Sequence, residues 1–128
     1  MDYSYTSPNP WPRKPDGGCT TYVAERRHVP WGGNAAEWYE NASNKKWPVR
    51  KDAPLPGCIM CWNGIAGSDI SMAGHVALVE RVEGTRLWIS QKYYGRGRGY
   101  APIEQWIGAN EGYPLRGGGT LQFEGYIF

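Results

Sequence analysis

A chain of 128 residues with no shift of composition along its length is one domain's worth of sequence, long enough to bury a core and too short for two. A formal charge of +2 without any block of Lys or Arg excludes the strong electrostatic footprint of a nucleic-acid binder, and no stretch reaches the apolar length of a membrane span. Abundant Gly, Pro, Trp and Tyr point to short strands and turns with few helices.

The first sixteen residues hold four prolines among Asn, Ser and Asp and predict an extended arm over 1–16, without the basic and apolar regions of a secretory signal. From Gly17 the spacing of Cys19, Tyr22, Val23 and Arg26 predicts a helix from Gly18 or Cys19 to about Val29. Arg26, Arg27 and His28 fall near its end, where positive charge suits the macrodipole, and Pro30 stops it. Asn34 is a good N-cap for a second helix, "AAEWYENAS", with Ala35, Ala36 and Trp38 facing inward. After the turn "APLPG" comes a short strand, "CIMCW", then a Gly/Ser loop over 63–74. "HVALVERV" and "RLWISQKYY" read as a hairpin joined by "EGT". "IEQWIGANEG" predicts a short helix and "LQFEGYIF" a final strand, which makes the layout α+β.

Cys19 follows a Gly-Gly pair at a helix start, where unpaired N–H groups and the positive dipole end favour a thiolate and stand ready for an oxyanion. The alternative is a cysteine packed as a small hydrophobe. A thiol nucleophile needs a base, and the chain has two histidines. His28 lies nine residues on, towards the other end of the same helix; His75 opens a strand after a flexible loop and is the better placed. Five residues along that strand, Glu80 faces the other way. A three-residue "EGT" loop pairs Val82 with Arg86, which sets Tyr93 opposite His75 and Gln91 diagonal to it on the same face. Gln91 can accept the imidazole N–H, with less stabilisation of an imidazolium than a carboxylate gives, by roughly 1–2 kcal/mol.

Three cysteines cannot all pair within one chain. Cys58 and Cys61 form a C-x-x-C without the second ligand pair that zinc needs, and on a strand the two thiols point to opposite faces, so a structural role is expected. Trp62, Tyr93 and Tyr94 are substrate-binding candidates, set against plain core packing. "YYGRGRGY" reads as a turn lining a polar, partly anionic substrate in preference to a base-stacking surface, with Arg96 and Arg98 as carboxylate partners or solvated charges.

"GGCTTYVAERR", "WGGNAAEWYENA", "PLPGCIMCW" and "GHVALVERV", in this order, resemble the CHAP family, the cysteine, histidine-dependent amidohydrolase/peptidases of phage lysins and bacterial cell-wall hydrolases. The resemblance runs from about Gly17 to the terminal "EGYIF", so 17–128 is expected to be a single CHAP catalytic domain. It implies a papain-like α+β fold with N-terminal helices on a twisted antiparallel sheet, Cys19 as nucleophile and His75 as base and acid. The family pattern "S-E-x-N" reads "SQKY" here, so Gln91 stands in the place of the orienting glutamate and Tyr93 in that of the asparagine. Gly18 replaces a glutamine often found before the nucleophile. Some phage members bind calcium through an acidic loop ahead of the cysteine; this chain offers only Asp16 there, and no metal or other cofactor is expected.

The implied partner is bacterial peptidoglycan, cut at an amide bond by an amidase or endopeptidase, with neither nucleic acid nor membrane involved and with wall targeting left to a separate domain or subunit. The missing signal suggests a phage lysin made in the host cytoplasm and released through a holin. Two other readings stay open: a CHAP-like wall-binding module without turnover, motivated by Gln91 and Gly18, and an amidohydrolase acting on a different substrate.

Overall fold

The computed structural model describes residues 18–65, 74–92, 103–115 and 119–128. The arm over 1–16, most of the loop before His75 and the stretch with Arg96 and Arg98 lie outside the described residues.

The first helix, α1, covers Cys19–Ala24, shorter than the apolar spacing predicts. Its last backbone bonds run from Arg26 and Arg27 back to the Val23 carbonyl. The chain then leaves the helix so that the Arg27 guanidinium can be buried, donating to the Gly57 carbonyl at 2.9 Å and the Phe128 carbonyl at 3.3 Å. A cation taken out of water needs such acceptors, and this tertiary demand overrides the local helical pattern. Arg26 stays at the helix end as its charge suggests, donating to the Tyr22 carbonyl at 2.9 Å.

The second helix, α2 (Ala35–Asn44), starts at Asn34 with a capping box in which Asn34 and Glu37 exchange bonds. Ala35 and Trp38 are buried as expected, while Ala36 is half-buried. Gly74 packs there: a Cβ on it would lie 2.7 Å from the Ala36 nitrogen and 2.6 Å from the Trp62 carbonyl oxygen, and its φ is +74°. Only glycine fits that approach.

Seven strands follow: β1 (Val49–Arg50), β2 (Ile59–Ile65), β3 (His75–Glu83), β4 (Arg86–Gln91), β5 (Ile103–Gly108), β6 (Tyr113–Pro114) and β7 (Thr120–Ile127). They form one antiparallel sheet in the order β1-β7-β2-β3-β4-β5, with β6 paired to β7. Few helices and a large antiparallel sheet make the fold α+β.

Alternation along the strands separates two cores. On one side, Val23, Trp31 and Trp38 from the helical segment pack with Ile59, Cys61, Val76 and Ile127. On the other, Met60, Trp62, Ala77, Val79, Leu87, Ile89 and Tyr126 gather with Cys58. Cys58 and Cys61 thus belong to opposite sides, as a strand through "CIMCW" requires. All three cysteines are free, and burial pushes the Cys58 thiol up to about 12.

"IEQWIGANEG" is strand and turn where a helix was expected. Ile103, Trp106 and Ile107 satisfy a helical spacing in isolation, but β5 pairs with β4 from Arg86↔Gly108 to Gln91↔Ile103, and ladder pairing decides the outcome. The β3–β4 turn is also shorter than expected. Glu83 pairs with Arg86 around Gly84 and Thr85, and a bulge at Glu80 then shifts the register so that Val79 meets Ile89 and Leu78 meets Ser90. The bulge's extra residue offsets the shorter turn, so the expected alignment returns where His75 and Gln91 need it.

Candidate active site

His75 opens β3 on the second-core side, level with Trp62 of β2. It is buried, stacked on the Trp62 indole with ring centroids 5.6 Å apart and 4.6 Å from the Tyr113 ring. Its Nε2–H donates to Oε1 of Gln91 at 2.6 Å, and the Gln91 amide donates in turn to Oε1 of Gln105 on β5 at 2.9 Å. Because the Gln91 oxygen is the atom turned towards the ring, Nε2 carries the proton and Nδ1 keeps the lone pair. His75 and Gln91 stand at the ends of their strands' rows on this face, His75 before Ala77 and Val79 and Gln91 beyond Ile89 and Leu87, while Gln105 lies between Ile103 and Ile107.

Burial among aromatic rings lowers the His75 pKa to about 4, against the opposing pull of the Gln91 hydrogen bond. The imidazole is therefore neutral at pH 7, with Nδ1 unprotonated.

Cys19 begins α1, half-buried against the helix-side core. The backbone amides of Val76, Thr20 and Cys19 itself each favour its thiolate, and the Val76 amide is that of the residue after His75. Burial nevertheless raises the Cys19 pKa above its ordinary value, outweighing those donors. The expected thiolate is thus not favoured here: a six-residue helix aligns too few peptide dipoles to outweigh desolvation. The thiol and imidazole are both neutral.

Trp62, a sequence candidate for substrate binding, is fully buried, and its indole N–H donates to the Glu111 carbonyl at 2.8 Å. It supports the imidazole and offers no open surface to a substrate. Tyr93 and Tyr94 lie outside the described residues. His28 packs against Trp47 with ring centroids 5.7 Å apart. Glu80 is exposed at the bulge and accepts from the Ser90 hydroxyl at 2.7 Å.

Sequence reasoning missed Gln105 and Tyr113. Gln105 was hidden by the helical reading of its segment; Tyr113 sits on a two-residue strand with no periodic signal. No group of three or more His, Cys, Asp or Glu among the described residues is arranged to hold a metal ion.

The CHAP domain profile matches residues 9–92, two thirds of the sequence and the part that carries Cys19, His75 and Gln91. The chain belongs to the CHAP family. Comparison with curated proteins finds no match. Among solved structures, the crystal structure of Ly7917 is similar with a TM-score of 0.44 and 29% identity, over 59% of this chain and 32% of that one. The structure described as Ly7917 with the hydrolyzing product of MDP gives 0.49 and 26%, over 75% and 38%. The chain therefore spans little more than a third of the length of Ly7917.

Proposed function

We propose that the chain is a peptidoglycan hydrolase of papain-like design, a phage-lysin type of amidase or endopeptidase in which Cys19 is the nucleophile, His75 the base and acid, and Gln91 the orienting residue. The observation that carries this reading is the 2.6 Å bond from His75 Nε2–H to Gln91, which leaves Nδ1 as a base on the strand whose next amide, that of Val76, favours the Cys19 thiolate. Membership of the CHAP family supports it.

The neutral pair defines the order of events. As the Cys19 sulfur bonds to the scissile carbonyl carbon, its proton passes to Nδ1, and the backbone N–H of Cys19 faces the developing oxyanion. The imidazolium then protonates the leaving amine as the C–N bond breaks, giving a thioester. Water, deprotonated by the same nitrogen, attacks the thioester; the C–S bond breaks and the thiol recovers its proton. Gln91 accepts from Nε2–H throughout.

Mass spectrometry of Gram-positive peptidoglycan after incubation with the parent protein and with Cys19→Ala tests this. New fragments are expected from the parent only, with a loss of at least about a thousandfold in the variant, and their termini identify the bond. Equal release by the alanine variant overturns the assignment. The raised Cys19 pKa and the glutamine at 91 favour one other reading, a wall-binding module. Its signature is co-sedimentation with walls, no fragments and a Cys19 unlabelled by iodoacetamide at neutral pH.

A further inference from the structure

An orienting glutamate can only accept a hydrogen bond, but a glutamine has a donor end and an acceptor end. Gln91 therefore has two ways to face His75. With its oxygen towards the ring, Nε2 is protonated and Nδ1 is the base. With its amide nitrogen towards the ring, the proton moves to Nδ1 and no lone pair is left for a thiol. Gln91 is fully buried, so no solvent competes for either end. Its amide nitrogen donates to Oε1 of Gln105 at 2.9 Å, and this is the contact that accompanies the productive direction.

We infer that Gln105 is a positioning residue: by accepting from Gln91 it holds the Gln91 oxygen towards His75 and keeps Nδ1 unprotonated as the base. The inference rests on the hydrolase reading for its catalytic consequence, though not for its geometry. Gln105 is half-buried and lines an open cavity of about 330 Å³ with Arg86 and Glu111. Solvent in that cavity can meet the end of Gln105 that Gln91 does not use. The imidazolium intermediate strengthens the preference, because with both ring nitrogens protonated Nε2–H needs an acceptor and the reversed amide has none to give. Among the described residues, Tyr113 is a titratable group in contact with the ring.

The test uses Gln105→Leu and Gln105→Glu in the full chain, with the His75 ring nitrogens followed by NMR at neutral pH and with kcat and KM measured on peptidoglycan. In the parent the ring is the Nε2–H tautomer. Gln105→Leu should move it towards a mixture and lower kcat by about three- to tenfold, the value of one hydrogen bond, with KM unchanged. Gln105→Glu, an obligate acceptor, should keep the Nε2–H form and kcat, and raise the imidazole pKa by about half a unit or more. An unchanged tautomer in the leucine variant overturns the inference; if that variant does not fold, an unmoved imidazole pKa in the glutamate variant does so. A parent that releases no wall fragments while Gln105→Leu still shifts the tautomer removes the hydrolase reading and leaves the positioning role standing.

Discussion

The β3–β4 hairpin carries two polar cross-strand pairs on opposite faces of the sheet. On the open face the Ser90 hydroxyl donates to Glu80 at 2.7 Å, and nearby the Trp88 indole donates to Glu104 at 3.1 Å while the Arg86 guanidinium lies 4.5 Å above Trp106. On the buried face His75 donates to Gln91 at 2.6 Å. Carboxylates stand where water reaches them, and a neutral amide stands where it does not. A carboxylate buried at 91 would be stable only against an imidazolium, so the glutamine and the neutral histidine are one choice made twice. The pair is a neutral hydrogen bond, in place of a preformed ion pair.

The largest way to break this contrast is to charge the buried face with acid. His75 has a pKa of about 4 in the fold against an ordinary 6.5, so between those values the unfolded chain binds the extra proton and the folded one does not. Stability from this residue is complete above about pH 6.5 and is lost as pH falls towards 4, by about 3 kcal/mol. Urea unfolding across that range should show the slope in the parent and a flatter one in His75→Phe; equal slopes would remove the buried imidazole as the cause. A smaller change sharpens the same point. Gln91→Glu should raise the His75 pKa by at least about one unit, or 1.4 kcal/mol, and move the acid limb of the activity profile upward with it. NMR titration of the ring reads this directly, and an unmoved pKa would show that charge at position 91 does not govern the imidazole.

Much of this arrangement was legible before the fold was known. Cys19 and His75 stood out by their positions at a helix start and a strand start, and the hairpin register set Gln91 beside His75. That register survived an error: the turn is a residue shorter than expected, and the bulge at Glu80 restores the alignment. Quantities that depend on burial were not legible. A helix-start cysteine looks activated until its desolvation is known, and Trp62 looks like a platform until Tyr113 and Glu111 are seen to enclose it. Gln105 stayed hidden because Ile103, Trp106 and Ile107 fit a helix as well as a strand, and only the β4 ladder separates the two.

The smallest effect belongs to the open face, and it decides whether the two faces act independently. Ser90 is buried and points its hydroxyl at the exposed Glu80 carboxylate. Ser90→Ala keeps the Cβ packing, and water can replace the lost donor at Glu80, so the cost should be about 0.5–1 kcal/mol. That corresponds to a fall in Tm of about 2–4 °C for a domain of this size, readable by calorimetry. The side chain next in sequence, Gln91, faces the other way, and the His75 pKa and activity should stay at the parent's values. A shifted imidazole in Ser90→Ala would mean that the strand transmits changes from one face to the other, and Gln91 would then owe its orientation to the hairpin backbone as well as to Gln105.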